Sequence, residues 1–345
     1  MQQKSYADKH TEVVMSDTII AVDAMGGDNA PFEIVKGCIS AIKEHKNIKI
    51  ILVGRENDIM QELSKYQYDD KRIEVLNADE VIATDEVPTV AIKTKKNSSM
   101  VVGLNLVKTG DASAFISAGN TGALLTGAVT IIKRIKGVER PALGTLMPME
   151  NGKSSLLIDA GANVDAKPSF LVQFAKMGSV YMENVMGIEN PKVGLINIGA
   201  EKEKGNALTK EAYELLEQAD INFVGNLEAR DIFLGEVDVM VCDAFVGNVV
   251  LKFAEGFVKS IMRIIKRELL AGVLSKIGAL LSAGAFKRLK KYFDYSKVGG
   301  APFIGLSGLV VKAHGNSKED DVVGAINQCI KFIEGDIVNK IQEKI

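Results

Sequence analysis

The segment ASAFISAGNTGALLTGA, residues 112–128, runs from one apolar stretch into another, with Gly119, Asn120, Thr121 and Gly122 between them. A helix opening at that turn presents free backbone N–H groups and the positive end of its dipole, and small residues allow close approach, so the turn suits an anion. The same residues also serve as an ordinary cap for a buried helix. Chemistry-bearing side chains recur at further strand-to-helix junctions. AVDAMGGDNAP, residues 21–31, carries Asp23 and Asp28, able to orient a cation or a metal, or to act as strand-end and cap residues. DAGANVDAKPSF, residues 159–170, gathers Asp159, Asn163, Asp165 and Lys167 before Pro168. There the lysine can hold a phosphate while the aspartates position it, or the loop is a solvated ion pair. GNLEARD places Asn226 near Arg230, and CDAFVGNVVLK supplies Asp243, Asn248 and Lys252. Arginine suits bidentate phosphate contacts and lysine a point charge.

Other patterns are excluded or left open. NGKSS, residues 151–155, ends like a P-loop, but Met147 stands where the first glycine belongs and a strand pattern follows. The turn after Asp23 is not G-x-G-x-x-G. His10, His45 and His314 and the three cysteines Cys38, Cys242 and Cys329 show no zinc spacing. His314, in VKAHGNS after an expected strand, is a site residue or a hydrogen-bonded structural one. Lys93, Lys95 and Lys96 precede NSSM, and Lys287, Arg288, Lys290 and Lys291 crowd AFKRLKKYF. With GVLSKIGALL ahead of the second cluster, residues 273–293 read as one or two basic amphipathic helices. Such helices lie on an anionic membrane, dock on an acidic partner, or pack as a dimer pair. Gly272, Gly278 and Gly284 weaken them intrinsically.

The elements that must position these residues are legible as alternation. TIIAVDA, IKIILVG, RIEVLNA, AFIS, SLLIDAG, VGLINIG, NFVGN and VDVMVCDAF are strand-like runs, each followed by helical periodicity. This predicts α/β architecture: three layers, a largely parallel sheet with helices on both faces, over residues 18–345 as one catalytic unit that could be bilobed. Residues 1–17 are expected to be a loose tail. Asn120, Asn163, Asn206, Asn226 and Asn248 all fall at turns after strands, where such folds converge on a ligand crevice. A net charge of −2, from 42 basic and 44 acidic residues, excludes a general nucleic-acid binder. Three scattered cysteines and no spanning apolar stretch point to a cytoplasmic protein.

In chain order, AVDAMGGD, KKNSSM, SAGNTGA, GANVDAKP, KGN, GNLEARD and KAHG resemble the bacterial fatty-acyl-ACP:phosphate acyltransferases from Thr18 onward. The resemblance implies a homodimer akin to isocitrate and isopropylmalate dehydrogenases and phosphotransacetylases. It also implies attack of inorganic phosphate on an acyl carrier protein thioester, with no cofactor and no metal. The acyl phosphate would pass to a membrane glycerol-3-phosphate acyltransferase, so peripheral membrane association is expected. One departure stands out: CDAFVGN replaces the expected TDGFTGN, with Ala244 and Val246 for glycine and threonine. On this reading phosphate sits at Gly119 to Gly122 with Lys167 or Arg230. Asn163 or Asn226 donates to the oxyanion, Asp159 and Asp243 orient cations, and His314 assists the leaving thiol. Asp23, Asp28, Asn248 and Lys252 support, and Lys95, Lys96, Lys287, Arg288, Lys290 and Lys291 meet carrier protein or membrane. Competing readings are a phosphotransacetylase-like enzyme on acyl-CoA, an NAD-dependent decarboxylating dehydrogenase, and a membrane-recruited scaffold without chemistry.

Overall fold

The β-branched runs form strands and the periodic segments helices in the computed structural model, which describes residues 18–292 and 299–345, without the side chains of 290–292. The expected tail 1–17, residue 293 and the side chains of Lys290 and Lys291 lie outside the described residues. The strands are β1 (Thr18–Asp23), β2 (Ile48–Gly54), β3 (Ile73–Asn77), β4 (Ala114–Ser117), β5 (Ala142–Pro148), β6 (Ser154–Ile158), β7 (Lys192–Asn197), β8 (Asn222–Glu228), β9 (Val239–Val241), β10 (Ala301–Ile304) and β11 (Leu309–Lys312). The helices are α1 (Phe32–Glu44), α2 (Glu56–Leu63), α3 (Pro88–Thr94), α4 (Ser99–Thr109), α5 (Thr121–Gly127), α6 (Pro168–Val185), α7 (Ala207–Glu217), α8 (Ala244–Leu269), α9 (Val273–Leu281), α10 (Ala283–Tyr292), α11 (Glu319–Glu334) and α12 (Ile337–Lys344).

All described strands join one sheet in the order β3-β2-β1-β4-β11-β10-β5-β6-β9-β7-β8. Side chains alternate between two apolar cores: Ile20, Val22, Ile50 and Leu52 point into one, Ala21, Ile51 and Val53 into the other. Both faces being covered is why these strands read as unbroken apolar runs. Helices α1, α6, α11 and α12 fill the first core, and α4, α5 and the start of α8 the second. The three-layer expectation holds in this form.

The sheet is not parallel throughout. The pairs β11/β10, β10/β5 and β5/β6 are antiparallel, so β6, β9, β7 and β8 run opposite to β3, β2, β1, β4 and β11. Strands β5 and β10 lack the helix that follows each of the strand-like runs in the sequence. An antiparallel neighbour needs only a short turn, so these two carry no such mark. Helix α8 buries Ala244, Gly247, Leu251 and Ala254 in its first half and no residue beyond them, and α9 buries none. No described helix is long and apolar enough to cross a membrane.

Candidate active site

The turn after β1 supports one wall, which the turns after β4 and β11 form. Asp23 is buried at the strand end and accepts hydrogen bonds from Ser117 Oγ at 2.7 Å and Met25 N at 3.1 Å. Ser117 Oγ in turn accepts from Gly119 N at 3.0 Å, which ties the Gly119 turn to the β1 carboxylate. Burial raises the Asp23 pKa, opposed by hydrogen bonds from Ser99, Ser117, Met25 and Gly26. Gly27 has φ +95°, and a Cβ there would lie 2.8 Å from Gly315 O and 2.9 Å from Ala118 Cβ. Only glycine lets this turn stack between the turns after β4 and β11. Asp28 N donates to Gly315 O at 2.7 Å and completes the stack.

The turn after β6 builds the opposite wall around Asp159, which is 0% exposed. Its Oδ1 accepts from Leu143 N at 3.1 Å, Gly161 N at 3.0 Å and Ala162 N at 2.9 Å. Its Oδ2 accepts from Asn163 N at 2.9 Å and Asn163 Nδ2 at 2.7 Å. Desolvation raises the Asp159 pKa while these donors pull it down. A carboxylate receiving five N–H groups is the hub that shapes the loop rather than a proton carrier. Helix α8 lands directly on this loop: a Cβ on Gly247 would sit 1.9 Å from Asp159 O, and Ala244 N donates to Asn163 O at 3.0 Å. Asp243 caps α8 by accepting from Val246 N at 2.9 Å. Cys242 is buried beside Asp159, and its thiol pKa is pushed well up by desolvation and then by Asp159 and Asp243, so no thiolate nucleophile is available there.

Between the walls, at the reversal of strand direction, lies a cavity of ≈ 340 Å³. Thr121 opens α5 on one side, Thr145 projects from β5, and Gly161 closes the β6 turn. The start of α8 contributes Asn248, Lys252 and Glu255, and the end of β11 contributes Lys312 and His314. Lys252 Nζ bonds Glu255 Oε2 at 3.0 Å. Lys312 Nζ donates to Ala118 O at 3.2 Å and to Ala313 O. Burial pushes its pKa down to about 8, with Lys252 acting the same way and Asp23 and Asp28 opposing. His314 stands at the open side of the cavity; desolvation first, then Lys252 and Lys312, lowers its pKa against the pull of Glu255, so its ring is neutral at pH 7. Two lysines, two hydroxyls and glycine-lined turns form a pocket suited to a small anion.

Several expected residues are engaged elsewhere. Asn120 caps α5 through Ala123 N at 3.0 Å, and its Nδ2 donates to Ala83, Thr84 and Glu86 carbonyls at 3.3, 3.0 and 3.3 Å. The N–H groups of Thr121 and Gly122 find no acceptor among the described residues. Both amide hydrogens of Asn163 are committed, to Asp159 and to Pro141 O at 2.8 Å, which leaves none for a substrate oxygen. Asn226 lies within β8 and pairs with Asn197 Nδ2 at 3.0 Å and Glu201 O at 2.9 Å. Arg230 is 76% exposed and pairs with Glu228 at 2.9 Å. Strand β8 ends the sheet, three places from β6, so the expected convergence of five asparagines does not occur: Asn206 caps α7, and only Asn248 lines the cavity. Lys167 is exposed at the start of α6 and does not line it. Lys95 bonds Val81 O and Glu86 Oε1, both at 2.7 Å, and Lys96 bonds Ile92 O at 3.2 Å, whereas Lys287 and Arg288 are exposed.

Lys312, Thr145 and Glu255 join the site without belonging to any of the strand-to-helix motifs above. The signal for Lys312 was present as a charge closing the apolar run LVV just before His314. For Glu255 it was helical spacing, three residues from Lys252 and seven from Asn248 on one face of α8. Thr145 lies in β5, an antiparallel strand with no helix after it to mark it in the sequence.

Known proteins share both sequence and shape with this chain. The family described as Fatty acid synthesis protein matches residues 18–340. The phosphate acyltransferase of Clostridium perfringens (strain SM101 / Type A) is 53% identical over 94% of this chain and 96% of its own. That of Clostridium novyi (strain NT) is 52% identical over 94% and 98%. Among solved structures, a phosphotransacetylase from Streptococcus pyogenes superposes with a TM-score of 0.61 at 18% identity, covering 94% of each chain. A branched-chain phosphotransacylase from Enterococcus faecalis V583 gives 0.58 at 14% identity over 91% of this chain and 98% of that one. At such identities the structural likeness speaks for the fold alone.

Proposed function

Because this chain belongs to the fatty acid synthesis protein family and is an acyltransferase of its phosphate acyltransferase members, we propose that it transfers the acyl group of an acyl carrier protein thioester to inorganic phosphate. A membrane glycerol-3-phosphate acyltransferase then consumes the acyl phosphate. Family membership displaces the dehydrogenase and scaffold readings. The observation that carries the proposal is the cavity itself: Lys252, Lys312, Thr121 and Thr145 face one small space at the strand reversal.

Hydrogen phosphate is already a nucleophile, so the protein needs no serine or cysteine to form a covalent intermediate. Its task is to strip water from the anion, hold it in line with the thioester carbonyl and stabilise the developing oxyanion. A phosphate oxygen forms a bond to the carbonyl carbon, and the C–S bonding pair leaves on sulfur. The proton of hydrogen phosphate ends on the thiolate, whose pKa of about 8.5 makes it a tolerable leaving group. The Thr121 and Gly122 N–H groups and the Thr121 hydroxyl offer phosphate or oxyanion donors, and Lys252, steadied by Glu255, supplies charge at the α8 side. Neutral His314 is placed to relay the proton towards sulfur.

Two wider expectations have support in the surface. Phe245, Val249 and Phe253 form an exposed apolar stripe along α8, 63%, 54% and 69% exposed, suited to a second copy of the chain. Light scattering of the purified protein reads the dimer directly. Helices α9 and α10 expose Leu274, Leu280 and Leu281 beside Lys276, Lys287 and Arg288, the pattern of an amphipathic segment at an anionic membrane.

The deciding assay incubates purified protein with palmitoyl-acyl carrier protein, with and without inorganic phosphate, and identifies products by mass spectrometry. Phosphate-dependent acyl phosphate together with free carrier is expected. Turnover with acyl-CoA but not with the carrier-bound donor would favour the second reading, a phosphotransacetylase-like enzyme.

A further inference from the structure

We propose that Lys312 is the residue that grips the phosphate during acyl transfer, an assignment that rests on the phosphate acyltransferase reading and names the cation of its anion site. Lys312 closes β11, a central strand flanked by β4 and β10. Its strand neighbours Val310 and Val311 are 0% exposed, and Lys312 itself stands part-buried at the strand's end, where the cavity begins. No carboxylate among the described residues lies within ion-pair distance of it. Asp23 on β1 and Asp28 on the β1–α1 turn act on it only at longer range, and Asp23 already receives Ser117 and Met25. From α8, Lys252 repels it, and Glu255 is engaged with Lys252; on its own turn stands neutral His314.

The ammonium is aimed as well as uncompensated. Two of its N–H groups go to the carbonyls of Ala118 and Ala313. An ammonium has three, so one remains for the cavity that Lys312 lines with Thr121. Ala118 is the residue immediately before the Gly119 turn, so the same bond that fixes the lysine fixes its distance to the Thr121 and Gly122 N–H groups. A half-buried cation pinned by two carbonyls, with no counterion and one free donor, is complementary to an anion that arrives and leaves. The lysine keeps its proton throughout; bond making and breaking remain as described above.

The test compares Lys312→Met and Lys312→Arg with the wild type in two measurements. Titration calorimetry with inorganic phosphate alone, without acyl donor, reads the site independently of turnover. Steady-state kinetics with varied phosphate then reads kcat/KM from pH 6 to 10. Removing one member of a buried charge pair should lower phosphate affinity and kcat/KM by about 100-fold in Lys312→Met, with a smaller loss in Lys312→Arg. Wild-type kcat/KM for phosphate should fall above pH about 8, as Lys312 loses its proton. Lys312→Arg should lack that alkaline limb, because a guanidinium stays charged. Thermal melting confirms that each variant is folded. Wild-type phosphate affinity in Lys312→Met, or an unchanged alkaline limb in Lys312→Arg, overturns the assignment. Lys312-dependent phosphate binding in a wild type that transfers no acyl group would leave Lys312 in place and overturn the functional reading instead.

Discussion

At the residue scale, Lys312 and Asp159 show two ways of burying a charge. Asp159 is surrounded by five N–H donors that offset part of its desolvation, whereas Lys312 has two carbonyls and no ion-pair partner among the described residues. The difference has a measurable sign. Lys312 falls from an ordinary 10.5 to about 8 in the folded chain, so between those values the unfolded chain binds more protons than the native one. Stability in phosphate-free buffer should therefore rise as pH climbs from 8 towards 10.5, by up to about 3 kcal/mol from this one group. Lys312→Met should be more stable than the wild type at pH 7, with the gap closing above pH 8. Urea denaturation at several pH values checks this; a less stable methionine variant at pH 7 would mean that the lysine supports the fold rather than a ligand.

At the element scale, the site depends on how tightly the start of α8 presses on the turn after β6. Gly247 makes that approach possible. Helix propensity alone would have Gly247→Ala stabilise α8 by about 1 kcal/mol. The added Cβ, 1.9 Å from the Asp159 carbonyl, reverses the sign. We expect a destabilisation of about 2–3 kcal/mol in chemical denaturation, with a larger proportional loss of kcat/KM as Asn248 and Lys252 move off the cavity. Normal stability in Gly247→Ala would show that α8 can shift without cost. The same packing marks where sequence reading stopped. Strand-to-helix junctions were legible because periodicity changes sharply at Asp23, Ser117 and Ile158; the latter two junctions line the cavity through Thr121 and Gly161, and the first braces the Gly119 turn from behind. Strand order was not legible, and it alone separates Asn226 and Arg230 at the sheet edge from Lys312 at its centre. Nor was it legible which polar groups satisfy one another, as Asn163 and Asp159 do, because that depends on contacts the sequence does not bring together.

At the scale of the whole molecule, the sheet and its two cores hold the chemistry, and α9 and α10 lie outside that economy. Leu274 and Leu281 are 85% and 83% exposed, so replacing them removes almost no packing. Leu274→Ser with Leu281→Ser should leave the melting temperature within about 1 °C of the wild type, since surface changes stay within about 0.5 kcal/mol. Turnover of carrier-bound acyl donor free in solution should also be unchanged, because neither residue lines the cavity. Co-sedimentation with anionic phospholipid vesicles should weaken by roughly 100-fold, from about 1.5 kcal/mol of apolar burial lost at each position. Raised salt should weaken wild-type binding further by screening Lys276, Lys287 and Arg288. Undiminished vesicle binding by the double variant would place the membrane contact on another surface. Absence of vesicle binding by both the variant and the wild type would remove direct membrane contact from the proposed function. Loss of binding with turnover intact would separate a catalytic body from a segment whose task is membrane contact.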